Sequence, residues 1–134
     1  MSLEIEFDRA REREDELGFA NLDERDRLLI TVWCFLGEVN NGGFQPFYSN
    51  SAGEYAHLAP EMLRTIGAQC MATVVERANC VFGPLGPPLD RRERQAAIAS
   101  LVGEPFQELD NGFSTCPDDV PELLAKRLSG QSVV

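Results

Sequence analysis

Leu28-Leu29-Ile30-Thr31-Val32-Trp33-Cys34-Phe35-Leu36-Gly37-Glu38-Val39-Asn40-Asn41-Gly42-Gly43-Phe44-Gln45-Pro46-Phe47-Tyr48-Ser49-Asn50 is the stretch whose reading decides the fold. Its first half is apolar nearly all round and too long for one strand, so it predicts a buried central helix over about 23–40. Leu29, Val32, Trp33, Leu36 and Asn40 keep the 3,4 spacing of one helical face. Asn41-Gly42-Gly43 ends that helix, because glycine supplies the positive φ that a helix C-terminus needs. Phe44 to Tyr48 then reads as a short helix and Asn50 to Gly53 as a turn.

Upstream, residues 4–16 carry alternating charge with a thin apolar stripe of Leu3, Phe7 and Ala10, which predicts a peripheral helix broken by Gly18. Asn21 or Asp23 caps the central helix, with Asp23, Glu24 and Asp26 placed at its positive end. Downstream, His57 falls in the first turn of a helix running to Ile66, and Ala68 to Phe82 forms an amphipathic one with Met71, Val74, Val75, Ala78, Val81 and Phe82 inward. Gly83-Pro84-Leu85-Gly86-Pro87-Pro88 is a stiff loop. Asp90 caps a helix over about 91–102 with Ala96, Ala97, Ile98, Leu101 and Val102 as its apolar face. In 104–113, Phe106, Leu109 and Phe113 keep helical spacing while Pro105 and Asn111-Gly112 limit its length. Asp118 or Asp119 and Pro121 open a last helix to Leu128, and residues 131–134 are expected to fray. The sum is an all-α single domain over 1–134, with six to eight helices: a peripheral charged helix (1–18), a core (19–83) and C-terminal helices (84–134).

The 134 residues carry 22 acids against 12 bases, a formal charge of −10. Such a surface repels phosphates and anionic membranes and attracts basic partners. The one basic cluster, Arg91-Arg92-Glu93-Arg94, is diluted by acids, and Lys126 is the sole lysine, so direct nucleic-acid binding is not expected. The uncharged run Leu28 to Gly37 is about half of what a membrane span needs. The acidic N-terminus lacks the basic and apolar regions of a signal peptide, so a cytoplasmic location is expected.

No catalytic, cofactor or metal template emerges. The glycines match no phosphate-binding loop. Glu54 and His57 make a single Glu-x-x-His pair, short of a metal site. Cys34, Cys70, Cys80 and Cys116 form no CxxC pair, and free thiols are expected rather than disulfides. The corner itself, Asn40, Asn41, Gly42, Gly43, Phe44, Gln45, Phe47, Tyr48 and Asn50, has two readings. It is a helix–helix joint whose aromatics fill core and whose amides satisfy backbone groups. Alternatively it is a recognition surface, with Asn40, Asn41, Phe44, Gln45 and Tyr48 lining a small-molecule or peptide pocket or an enzyme site.

Glu38 to Gly53, with Leu63-Arg64-x-Ile66-Gly67-Ala68 and Ala78-Asn79-Cys80-Val81-Phe82-Gly83, resembles a bacterial all-helical family named for a DNA-mimic protein, over roughly residues 25–83. The resemblance implies a dimeric, non-enzymatic protein whose carboxylates imitate duplex phosphates on the DNA-binding face of a transcription factor or another basic DNA-binding protein. Helical neighbours three and four apart lie roughly 5–6 Å from one another, which suits such a row. Glu12, Asp15 and Glu16 on the first helix, with Asp23, Glu24 and Asp26 opening the second, are the candidate face. Arg9, Arg11, Arg13, Arg25 and Arg27 are threaded through the same acids, where a mimic prefers unbroken negative charge. A homodimer is consistent with a thin first helix that leaves apolar surface uncovered.

Overall fold

The computed structural model describes residues 1–130 and is all-helical. The frayed end expected at 131–134 lies outside the described residues. Eight α-helices, counted over the described residues, run α1 (Leu3–Leu17), α2 (Glu24–Gly42), α3 (Phe44–Ser49), α4 (Ala59–Thr65), α5 (Gln69–Cys80), α6 (Arg91–Ala99), α7 (Gln107–Thr115) and α8 (Val120–Leu128). Short 3₁₀ turns occupy Phe19–Asn21 and Ser51–Tyr55. Among the described residues no helix is long and apolar enough to cross a membrane.

α2 is the axis of the domain. It packs against α1, α3, α4, α8 and the 51–55 turn, and Leu28, Leu29, Ile30, Val32, Phe35, Leu36 and Val39 are buried along it. Asp23 rather than Asn21 caps it, its Oδ1 accepting the Asp26 N–H at 2.9 Å. Asn21 closes α1 instead, donating its side-chain amide to the Leu17 carbonyl at 2.8 Å. At the other end α2 runs to Gly42, and Gly43 turns the chain at φ +88° while its N–H bonds to Val39 O. An aromatic cluster ties this turn to the C-terminal helices: Tyr48 lies 4.7 Å from Phe82 and 5.3 Å from Phe106, and Phe35 meets Phe47 edge-on at 5.5 Å.

Four sequence expectations need correction. Asn111-Gly112 does not stop α7 but lies inside it. A Cβ on Gly112 would sit 3.3 Å from Val74 Cγ2, so the glycine lets α7 lie close against α5. His57 precedes α4 instead of opening it, and its Nε2 lies 2.6 Å from the Pro87 carbonyl oxygen. α6 ends at Ala99, leaving Val102 94% exposed. Two of the four cysteines are not free. The close packing of α7 on α5 brings Cys70 and Cys116, 46 residues apart, to a Cα–Cα distance of 5.9 Å, where they form a disulfide. Cys34 and Cys80 are free.

Candidate functional site

The glycine–aromatic corner is built to hold itself together. Phe44, Phe47 and Tyr48 are fully buried (0% exposed), so none of these rings is offered to a ligand. Phe44 starts α3 without a local cap, and Asp110 of α7 supplies one across the fold, its Oδ1 accepting the Phe44 N–H at 2.8 Å. That approach requires Gly43, since a Cβ there would lie 2.9 Å from Asp110 Oδ2. Asp118 does the same for α5, accepting the Met71 N–H at 2.8 Å. Tyr48 donates to Asn79 Oδ1 at 2.6 Å, and Asn79 donates in turn to the Ala56 carbonyl. Asn50 donates to Glu38 Oε2 at 3.1 Å. Asn40, Asn41 and Gln45 are exposed.

Arg94 locks the corner from the far side. Its side chain is wholly buried and donates to four backbone carbonyls: Tyr48 at 2.7 Å, Asn50 at 3.0 Å, Pro88 at 3.2 Å and Leu89 at 2.8 Å. Burial lowers the pKa of its guanidinium from the ordinary arginine value, yet a forked, permanently charged donor suits a nest of carbonyls. Gly53 leaves room for it, as a Cβ there would fall 2.6 Å from Arg94 Nε. Sequence reasoning missed this residue by grouping it with Arg91 and Arg92. The available signal was its spacing, since in the helix expected over about 91–102 Arg94 falls on one face with Ile98 and Leu101.

The acidic candidates divide. Glu12, Asp15, Glu16, Asp23 and Glu24 are exposed, whereas Asp26 is only 3% exposed and unavailable to an outside partner. Asp26 faces inward because Arg13 grips it bidentately, Nε to Oδ2 at 2.6 Å and Nη2 to Oδ1 at 2.8 Å. This pair clamps the C-terminal half of α1 against the first turn of α2. Glu12, Asp15 and Glu16 are thereby brought to the same end of the molecule as Asp23 and Glu24. The hydrogen bond to Arg13 also holds the Asp26 carboxyl below its ordinary pKa, and the partner arginine is raised by the same bond.

Four of the five arginines threaded through these acids are tied to groups of the fold, although the side chains of Arg11, Arg13 and Arg25 stay about two-fifths exposed (41%, 42% and 37%). Arg11 donates to Glu14 at 2.7 Å and to the Tyr55 hydroxyl at 3.0 Å. Arg25 reaches Glu6 at 3.5 Å, and Arg27 donates to the Leu22 carbonyl at 2.5 Å. Arg9 alone of the three on α1 stays largely exposed, with Glu6 at 3.5 Å. The exposed acids of α1 are Glu4, Asp8, Glu12, Asp15 and Glu16. At 3.6 residues per turn they share one arc of about 120°. None of the five forms an ion pair among the described residues.

Among the described residues one group offers metal-ligand geometry, Cys70, Cys116 and Asp118, whose ligand atoms lie within 4.8 Å of one another. Those sulfurs are bonded to each other and the Asp118 carboxylate caps α5, so the set is already engaged.

A family model described as DMP19-like protein matches residues 20–130. The chain belongs to that family. The match covers the corner, Arg94, Asp110 and the disulfide, and it begins after α1, so the acidic arc on α1 lies outside the segment shared with the DMP19-like family. No curated protein matches the chain, and no solved structure does.

Proposed function

We propose that this protein is a non-enzymatic, acidic interaction domain of the DNA-mimic type, presenting Glu12, Asp15, Glu16, Asp23 and Glu24 to the DNA-binding face of a basic protein such as a transcription factor. Membership of the DMP19-like family supports the class, and the formal charge of −10 supports the sign of the partner. The observation that carries the reading is the sorting of charge on α1, where Arg11 and Arg13 are taken up by Glu14, Tyr55 and Asp26 and the exposed acids of the outer arc keep no basic partner among the described residues.

The density of that arc falls somewhat short of one strand. Five carboxylates along a 15-residue helix of roughly 22 Å give one charge per about 4.5 Å. A single DNA strand carries one per about 3.4 Å of axis. A duplex is denser by a factor of about two, so the acids opening α2 are needed to widen the row.

Exposed charge pairs weaken steeply with ionic strength, because the screening length falls from about 10 Å at 0.1 M salt to about 3 Å at 1 M. Immobilised protein is therefore expected to retain DNA-binding proteins from a native lysate in low salt and to release them in high salt. Retention unaffected by salt, or no retention at all, overturns the reading. The proposal includes a homodimer, for which Leu85 (92% exposed) and Leu89 (70%) offer apolar contact surface. Light scattering separates 14.9 kDa from twice that mass.

A further inference from the structure

Between α1, α2 and the 51–55 turn lies a cleft of about 590 Å³, lined by the rings of Phe7, Trp33 and Tyr55 and the carboxylates of Glu14, Glu38 and Glu54. That volume is within the range of small-ligand sites. One side of the cleft already accommodates a guanidinium. Arg11 stands 5.9 Å from the Phe7 ring centroid and donates to both Glu14 and the Tyr55 hydroxyl. Tyr55 completes the triangle by donating to Glu14 Oε2 at 2.5 Å.

Trp33, Glu38 and Glu54 line the same cleft, and Arg11 is the one cation among its lining residues. The buried Arg94 lies behind Gly53 and interacts with the Glu54 charge from inside the fold. Among the lining residues Arg11 and Glu14 offset one another, so three carboxylates less one guanidinium leave a formal −2 from Glu38 and Glu54, which the buried Arg94 offsets in part at Glu54. The Cys34 thiol in the wall is pushed by burial up to about 11 and adds no charge near neutrality. Asn50 steadies one oxygen of Glu38 at 3.1 Å. Glu54 is exposed and makes no hydrogen bond or ion pair among the described residues.

We propose that this cleft binds the guanidinium of an arginine side chain presented by a protein partner, stacked on Trp33 and held by Glu38 and Glu54. Carboxylates alone would accept any cation. The indole wall favours a planar, weakly hydrated guanidinium, which stacks on aromatic faces and presents forked donors to carboxylates, over a strongly hydrated ammonium. The inference does not rest on the acidic face of α1, and each survives failure of the other.

Trp33 is the only tryptophan in the chain, so its emission reports on this cleft. The full-length protein is titrated with N-acetyl-arginine amide, its neutral citrulline counterpart and spermidine. The arginine amide is expected to change Trp33 emission saturably with Kd on the order of 1 mM, the strength a fragment of that size reaches. The citrulline amide gives no change and spermidine binds more weakly. Glu54→Gln raises Kd roughly fivefold, the upper end for removal of one exposed charge contact, with an unchanged circular dichroism spectrum. No saturable response to the arginine amide overturns the proposal. Equal binding of citrulline or spermidine overturns it too, as does an unweakened Glu54→Gln protein.

Discussion

A guanidinium in direct contact with no carboxylate among the described residues, surrounded by four carbonyls, makes Arg94 the residue on which the corner depends most. Replacing it with methionine keeps the volume but strands those acceptors, and a loss of about 3–5 kcal/mol is expected from the urea midpoint. Arg94→Lys should recover only part of it, because a single ammonium cannot span the nest that a planar fork does. Gly43→Ala combines the strain of a backbone at φ +88° and ψ −172°, about 1–3 kcal/mol, with the close approach of Asp110. Its destabilisation should be partly relieved in an Asp110→Ala background, where the clash is gone but the strain persists. The glycines and buried aromatics of this corner were legible in the chain because turn and burial preferences are local. Arg94 and Asp110 were not, because their partners lie 46 and 66 residues away in sequence.

At the scale of elements, α1 is organised against its own stability. Glu14, Asp15 and Glu16 crowd a helix C-terminus with no base in the last turn, where the macrodipole disfavours negative charge. Asp15→Asn with Glu16→Gln is expected to stabilise the protein by about 0.5–1 kcal/mol while weakening capture of basic partners, two effects of opposite sign in one variant. Alternating charge made α1 readable as a peripheral helix. Which arginines the fold would take up was not readable, since that depends on Tyr55 and Asp26 from other elements. The Arg13–Asp26 clamp gives α1 its pH limit. Asp26 is held below its ordinary value of 3.8, first by the hydrogen bond from Arg13. The unfolded chain therefore takes up that proton more readily than the folded one. The stability from this group is complete above about pH 4 and is lost as pH falls through the lowered folded-state value. Acid unfolding of Asp26→Asn should lack that component, although the variant starts less stable because Arg13 loses its charged partner.

Across the whole molecule, the Cys70–Cys116 link joins α5 to the end of α7 and closes 46 residues of chain. Chain entropy puts its contribution at up to about 4 kcal/mol, so a phosphine reductant should lower the denaturation midpoint markedly. Alkylation of the denatured, unreduced protein should label two thiols, Cys34 and Cys80, rather than four. Cysteine spacing carried no sign of this pairing, because it arises only once α7 packs against α5, with the two cysteines 46 residues apart in sequence. The all-α class, the central helix and the corner were open to reading from the chain. The cross-fold caps and the sorted charge belong to the assembled structure.

The central claim is that the outer arc of α1 and the start of α2 occupy a DNA-binding face. Competition tests it most directly. Proteins captured in low salt on immobilised protein are challenged with increasing duplex DNA, in parallel with a Glu12→Gln, Asp15→Asn, Glu16→Gln, Glu24→Gln variant that keeps the Asp23 cap. Duplex DNA is expected to displace the captured proteins from the native surface, and the variant is expected to capture little to displace. Capture that resists duplex DNA, or that persists undiminished on the variant, would contradict the claim.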